Sequence, residues 1–162
     1  MNKLTASIGL LSLVALLVGC DHGTKHLARK HLRGEPAVEL IGGALDLRYT
    51  ENRDAAFGAL RWAPPSIRGP GLTVVRSLLS LVILVLLLRR SGLGLDRFGL
   101  ALVLAGALGN LVDGILRGYV VDFIHLHHWP VFNVADICIA VGVGLLLLGG
   151  RRRATPPRPA GG

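Results

Sequence analysis

Gly109-Asn110-Leu111-Val112-Asp113, Val120-Val121-Asp122-Phe123-Ile124 and Phe132-Asn133-Val134-Ala135-Asp136 decide how this chain is read. Three carboxylates and two carboxamides stand there inside strongly apolar sequence. Charge is costly in or beside a bilayer, so such groups mark a functional site by default. Buried Asp and Asn can also serve structure alone, tying helices together by hydrogen bonds. Their clustering, with Asp122 and Asp136 separated by one short link, points instead to a working site.

Outward from that stretch the sequence is that of a membrane protein. Hydrophobic residues make up 51% of it and aromatics only 5%, a composition unlike that of a soluble domain. Apolar runs cover 4–18, 72–88, 98–116 and 131–148. Each approaches the ~20 residues needed to cross ~30 Å of hydrocarbon, the first being the shortest. The expected fold is an all-α membrane protein of four transmembrane helices, spanning about 4–20, 71–88, 98–117 and 131–149. One membrane domain then occupies 1–150, with an outer segment at 21–70 and a basic, Pro/Gly-rich tail at 151–162.

The net charge of +8 does not imply nucleic acid. Lys3, Arg89, Arg90, Arg97 and Arg151 to Arg153 fall at the ends of apolar runs. The positive-inside rule then places both termini and the 89–97 link in the cytoplasm. The segments 21–70 and 118–130 lie outside. Met1 to Cys20 resembles a lipoprotein signal that would be cut before Cys20, but three further runs follow, and a retained first span is expected. Cys20 and Cys138 read as small apolar fillers.

Beyond the first run, 26–32 fits a short interfacial helix and Gly34-Glu35-Pro36 a turn. Within 38–49, Leu45-Asp46-Leu47-Arg48-Tyr49 alternates weakly like a strand, a signal broken by Gly42-Gly43, and a small outer sheet is expected. The stretch from Asn52 to Gly58 reads as a polar turn, and Trp62 as a headgroup-level anchor. Arg76, the one charge in the second run, can snorkel to the surface or meet a carboxylate, and snorkelling is the expected course. Gly106, Asn110, Asp113 and Arg117 share one helical face, small at its base and polar at its top. Asn133 and Asp136 share a face of the last helix, with Gly142 and Gly144 allowing close packing below. Asp122-x-x-His125-x-His127 could suggest a metal, but the His-Glu-x-x-His core of helical hydrolytic sites is missing. His125, His127 and His128 are expected to be solvated or interfacial, and no metal or cofactor is expected.

The third run ends outside and the fourth begins outside, so Asp113 and Asp136 lie at similar depth, with Asp122 able to fold onto the same spot. Asp122 and Asp136 form a natural facing pair. Two carboxylates in one low-dielectric site share a proton and titrate together. One can deprotonate a water while the other protonates a scissile carbonyl. This is aspartic-protease chemistry.

With those motifs in hand, the chain resembles the lipoprotein signal peptidase, or signal peptidase II, family. Asp21-His22-Gly23-Thr24-Lys25 is similar to its Asp-Gln-x-Thr-Lys, and Asn52-x-x-x-Ala56-Phe57-Gly58 to its Asn-x-Gly-x-Ala-Phe. Gly109-Asn110-x-x-Asp113, Gly118-x-Val120-Val121-Asp122-Phe123 and Phe132-Asn133-x-Ala135-Asp136 match three more motifs, in order. The resemblance implies that Asp122 and Asp136 are catalytic. Asn52, Asn110, Asp113, Asn133, Asp21 and Lys25 would bind substrate or orient the pair. The outer segment would form an extracytoplasmic β-cradle and short interfacial helix that clasp the substrate. Substrates would be prolipoproteins already diacylglyceryl-modified on the Cys after the cut, met among bilayer lipids, and globomycin-type peptides would inhibit. The enzyme would be a multi-pass monomer of the bacterial cytoplasmic (inner) membrane, active near its outer face. Gly114, where the family usually has Arg, removes a substrate contact, and His22 and Asp54 depart from the pattern as well. Two rivals stay open: a catalytically weak relative that binds lipoproteins or a partner, and a small transporter or proton-relay subunit.

Overall fold

The computed structural model describes residues 2–53 and 64–154. Asp54, Ala56, Phe57, Gly58 and Trp62, and the tail from 155 on, lie outside the described residues. In chain order the elements are α1 (Lys3–His31), β1 (Val38–Ile41), β2 (Leu45–Asn52), α2 (Pro65–Arg89), α3 (Leu95–Arg117), β3 (Val120–Leu126) and α4 (Val134–Ala154).

The helices α1, α2 and α3 are long and apolar enough to cross a membrane; the apolar part of α4, Val134–Gly150, is shorter. On α2, Val74, Val75, Leu78, Leu79, Leu81 and Val82 are at least half exposed, a face that only lipid would cover favourably. Leu10 and Val14 of α1, Leu87 of α2 and Leu100, Ala101, Leu104 and Ala105 of α3 form the core. At one end of the bundle Arg97 is fully buried. It donates to the Leu87 and Gly92 carbonyls and to Ser7 Oγ, joining three helices at that end.

α1 corrects the expected boundary. A first span ending near Cys20 with a separate helix at 26–32 is not what forms: one unbroken helix runs from Lys3 to His31. Asn2 caps its start by accepting from the Thr5 N–H at 2.8 Å. The polar residues from Asp21 do not end it, because Asp21 and Lys25 are buried against other elements. Its last turns pack under the sheet, where Ala28 and Leu32 meet Phe123.

The sheet is antiparallel in the order β1-β2-β3. Gly42 and Gly43, with φ of 38° and 76°, make the β1–β2 turn. β3 was not expected: the link 118–130 reads as an outer turn, yet Val120–Leu126 is a strand with a buried first half. Gly118 ends α3 in the left-handed region at φ 73°, its N–H on the Gly114 carbonyl, and turns the chain into β3. The pairing Thr50↔Asp122 and Asn52↔Val120 then sets the end of β2 beside Asp122.

α3 and α4 pack most closely. A Cβ on Gly106 would lie 2.2 Å from the Ala135 carbonyl oxygen, and one on Gly142 2.7 Å from that of Gly99. Gly144, expected to help, faces open space. Gly106→Ala should therefore force the helices apart at a cost of about 1–3 kcal/mol. Gly144→Ala should be neutral or slightly stabilising. Thermal unfolding in detergent checks the contrast; equal midpoints would refute it. α4 also continues through Ala154, so the expected tail begins as helix.

Candidate active site

Asp122 and Asp136 line one cleft of about 480 Å³ with Asn52, Asn110 and Arg76. Apolar walls come from Leu79, Trp129 and Ile139. Asp122 is 2% exposed, so its carboxylate relies on protein donors rather than water. Asn52 Nδ2 donates to Oδ2 at 2.9 Å and Asn133 Nδ2 to Oδ1 at 2.6 Å. Burial still pushes the Asp122 carboxyl up to about 6; the two amide donors oppose the shift and the charge of Asp136 adds to it.

Asp136 is held at a helix start. Asn133 is not on the helix face, as expected, but precedes Val134 as its cap. Asn133 Oδ1 accepts from the Asp136 N–H at 3.0 Å, and Asp136 Oδ2 accepts from the Asn133 N–H at 3.2 Å. That reciprocal arrangement is a capping box made with Asn and Asp. The other Asp136 oxygen accepts from Asn110 Nδ2 at 2.9 Å. Asn133 thus touches both carboxylates, one through its amide nitrogen and one through its backbone.

Behind the cleft lies a second polar layer. Lys25, wholly buried, lies 2.6 Å from Asp21 Oδ2 and 3.2 Å from Asp113 Oδ2, and donates to Asn110 Oδ1 at 3.0 Å. Asp21 Oδ1 accepts from the Ala135 N–H at 2.9 Å, and Asp113 Oδ2 from the Val121 N–H at 3.1 Å. Each backbone donor is adjacent to a cleft carboxylate, so these acids fix where β3 and α4 present Asp122 and Asp136. Arg117 pairs with Asp113, and His22 Nδ1 faces the same carboxylate at 3.7 Å. Gly109 leaves room for Asp21, since a Cβ there would lie 2.6 Å from Asp21 Oδ2.

Asn110 connects the layers. Its Oδ1 accepts from Lys25 Nζ and from Asn133 Nδ2, so its amide nitrogen must face Asp136. All eight residues singled out in the sequence therefore join one network, but only Asn52, Asn110, Asp122 and Asp136 line the cleft; Asn133, Asp113, Asp21 and Lys25 hold them.

Arg76, expected to snorkel or meet a carboxylate, lines the cleft with Asp122 and Asp136. His125, expected to be solvated or interfacial, has its Nδ1 2.9 Å from Asp46 Oδ1. Among the described residues no group of three or more His, Cys, Asp or Glu could hold a metal ion. Cys138 is buried, whereas Cys20 is exposed.

The family model described as signal peptidase (SPase) II matches residues 13–150. A lipoprotein signal peptidase of Syntrophotalea carbinolica is 41% identical over 145 residues, covering 86% of this chain and 88% of that one. One from Symbiobacterium thermophilum is 41% identical over 145 residues, covering 85% and 90%. Two solved bacterial membrane enzymes share the fold. One has a TM-score of 0.75 at 24% identity, covering 98% of this chain and 94% of its own. The other has a TM-score of 0.78 at 23% identity, covering 93% and 95%. With the described residues of its motifs gathered into one network and its sequence matched over residues 13–150, the chain belongs to the signal peptidase II family.

Proposed function

We propose that this chain is an intramembrane aspartic endopeptidase that removes signal peptides from diacylglyceryl-modified prolipoproteins, cutting before the lipidated Cys. The observation that carries this reading is the pair Asp122 and Asp136 in one cleft, each carboxylate oxygen held by an amide donor. Fixed donors aim the carboxylates and leave their remaining lone pairs for a water and a substrate.

The pair holds one proton between reactions. The ionised carboxylate takes a proton from water, whose oxygen bonds to the scissile carbonyl carbon. The protonated carboxyl gives its proton to the carbonyl oxygen, leaving a tetrahedral diol. A proton then passes to the amide nitrogen and the C–N bond breaks. The signal peptide leaves with a new carboxyl terminus and the lipoprotein with a new amino-terminal Cys. Asn52, Asn110 and Asn133 orient the pair, and Asp21, Lys25 and Asp113 support them.

In this reading α4 is a fourth span. The domain covers 1–150 with both termini in the cytoplasm, and 151–162 is its tail. The sheet forms a cradle at the outer face of the bacterial inner membrane, where globomycin-type peptides would compete with substrate. The enzyme works as a monomer. The test is cleavage of a purified diacylglyceryl-modified precursor by the purified protein in detergent, read by mass. A product starting at the lipidated Cys is expected; an untouched precursor would sink the proposal.

A further inference from the structure

Arg76 is the part of the cleft that the mechanism above does not use. Among the described residues it is the only cation lining the cleft. Neighbouring cations are already engaged: Lys25 by Asp21, Asp113 and Asn110, Arg117 by Asp113, and Arg53 by Glu51 and the Tyr119 ring. Among the described residues the half-buried Arg76 guanidinium makes no hydrogen bond or ion pair, and the nearby charges of Asp122 and Asp136 hold it in the cleft without direct contact. A guanidinium carries five donors in a fixed fork, and leaving them unpaired in a partly dry cleft is unfavourable until a ligand supplies acceptors.

Gly114 explains how Arg76 comes to be there. A Cβ on Gly114 would lie 3.1 Å from Arg76 Nη1 and 3.4 Å from Thr73 Oγ1. The missing side chain on α3 is therefore the space that the α2 guanidinium occupies. An arginine at 114 would start inside that space.

We propose that Arg76 grips the substrate: its guanidinium, seated over Gly114, donates hydrogen bonds to carbonyl oxygens of the bound precursor beside the cut. This rests on the peptidase function above. Carbonyls are the fitting acceptors because Asp122 and Asp136 in the same cleft would repel an anionic ligand. They come from two sources, the peptide backbone and the esters of the diacylglyceryl group.

The test uses the full chain in detergent. The probe is a synthetic peptide ending a signal sequence in an S-diacylglyceryl Cys segment, with a dialkyl-ether version that lacks the ester carbonyls. Arg76→Leu should raise KM about 10- to 100-fold, with a smaller change in kcat. The Kd measured in an Asp136→Asn background should rise by a similar factor. Arg76→Lys should fall between, since one ammonium cannot bridge two acceptors as a guanidinium does. It also provides the reading if the Leu variant fails to fold. Gly114→Arg should weaken binding alone but restore it in the Arg76→Leu background. An equal loss for both probes assigns the acceptors to the peptide, and a loss confined to the diester assigns them to the lipid.

Unchanged KM and Kd in folded Arg76 variants overturns the proposal. So does a shifted pH profile at constant KM, which would mean that Arg76 acts on the carboxylates instead. A double variant no better than Arg76→Leu overturns the shared space. A chain that never cuts but loses affinity with Arg76→Leu supports the grip and refutes the peptidase reading. A chain that cuts equally well without Arg76 does the reverse.

Discussion

Asp122→Asn and Asp136→Asn are each expected to lower cleavage of a lipidated precursor by roughly 10²- to 10⁴-fold or more. Each replaces a group that can carry or accept a proton with an amide that can do neither at neutral pH. The loss should fall on kcat, because the cleft keeps its shape and Arg76. Neither variant is silent locally. Both Asp122 oxygens accept from amide nitrogens, so one edge of an Asn there sets donor against donor. At Asp136 an Asn can still cap α4 through its oxygen, but its NH₂ then meets Asn110 Nδ2, whose direction is already fixed. The measurements are single-turnover cleavage together with helical circular dichroism and elution position in detergent. A folded Asn variant with near-normal turnover at either position would end the assignment of the pair.

Lys25→Met should be nearly as damaging, through stability as well as activity. Lys25 is completely buried between Asp21 and Asp113, and with Arg117 on Asp113 it balances the two acids. Removing one partner of a buried ion cluster typically costs about 3–5 kcal/mol, because the remaining charges stay in low dielectric. There is a catalytic consequence too. Without Lys25, Asn110 Oδ1 keeps only the Asn133 amide as donor, so its hold on Asp136 loosens. The expected outcome is a markedly lower melting temperature and loss of turnover in whatever protein folds. Lys25→Arg should not rescue it, since a larger guanidinium has no room at a fully enclosed position. Normal stability in the Met variant would show that the cluster carries no such weight.

Much of this site was legible in the sequence because its chemistry is out of place there. Asp113, Asp122 and Asp136 stand in aliphatic surroundings, and the spacing of Gly106, Asn110, Asp113 and Arg117 gives one face of α3 directly. What stayed hidden depends on partners far away in the chain. Val120–Leu126 has only a short link's worth of pattern, and its pairing with β2 bridges about 70 residues of sequence, as in Asn52 to Asp122. The change to polar residues at Asp21 looks like a helix leaving the membrane. It is instead a helix whose Asp21 and Lys25 are held by α3 and α4. Arg76 looks like a lone charge on a lipid-facing run until the bare position at Gly114 is seen across from it. Asn133 is placed by its cap geometry, which a helical spacing rule alone does not distinguish from the first turn.

The unbroken course of α1 works as a ruler. At about 1.5 Å per residue its 29 residues reach about 43 Å, beyond the ~30 Å of a bilayer's hydrocarbon. Its last turns exceed that thickness and form a stiff post under the sheet, so the distance from the bundle to the sheet is set by a helix rather than by a pliable link. Such a post has a phase as well as a length. One residue added to α1 before Asp21 would raise the post by only about 1.5 Å but swing Asp21 and Lys25 through about 100°. Asp21, which seats α4, would then face away from Gly109, and Lys25 from Asp113, so Asp136 would lose its alignment with Asp122.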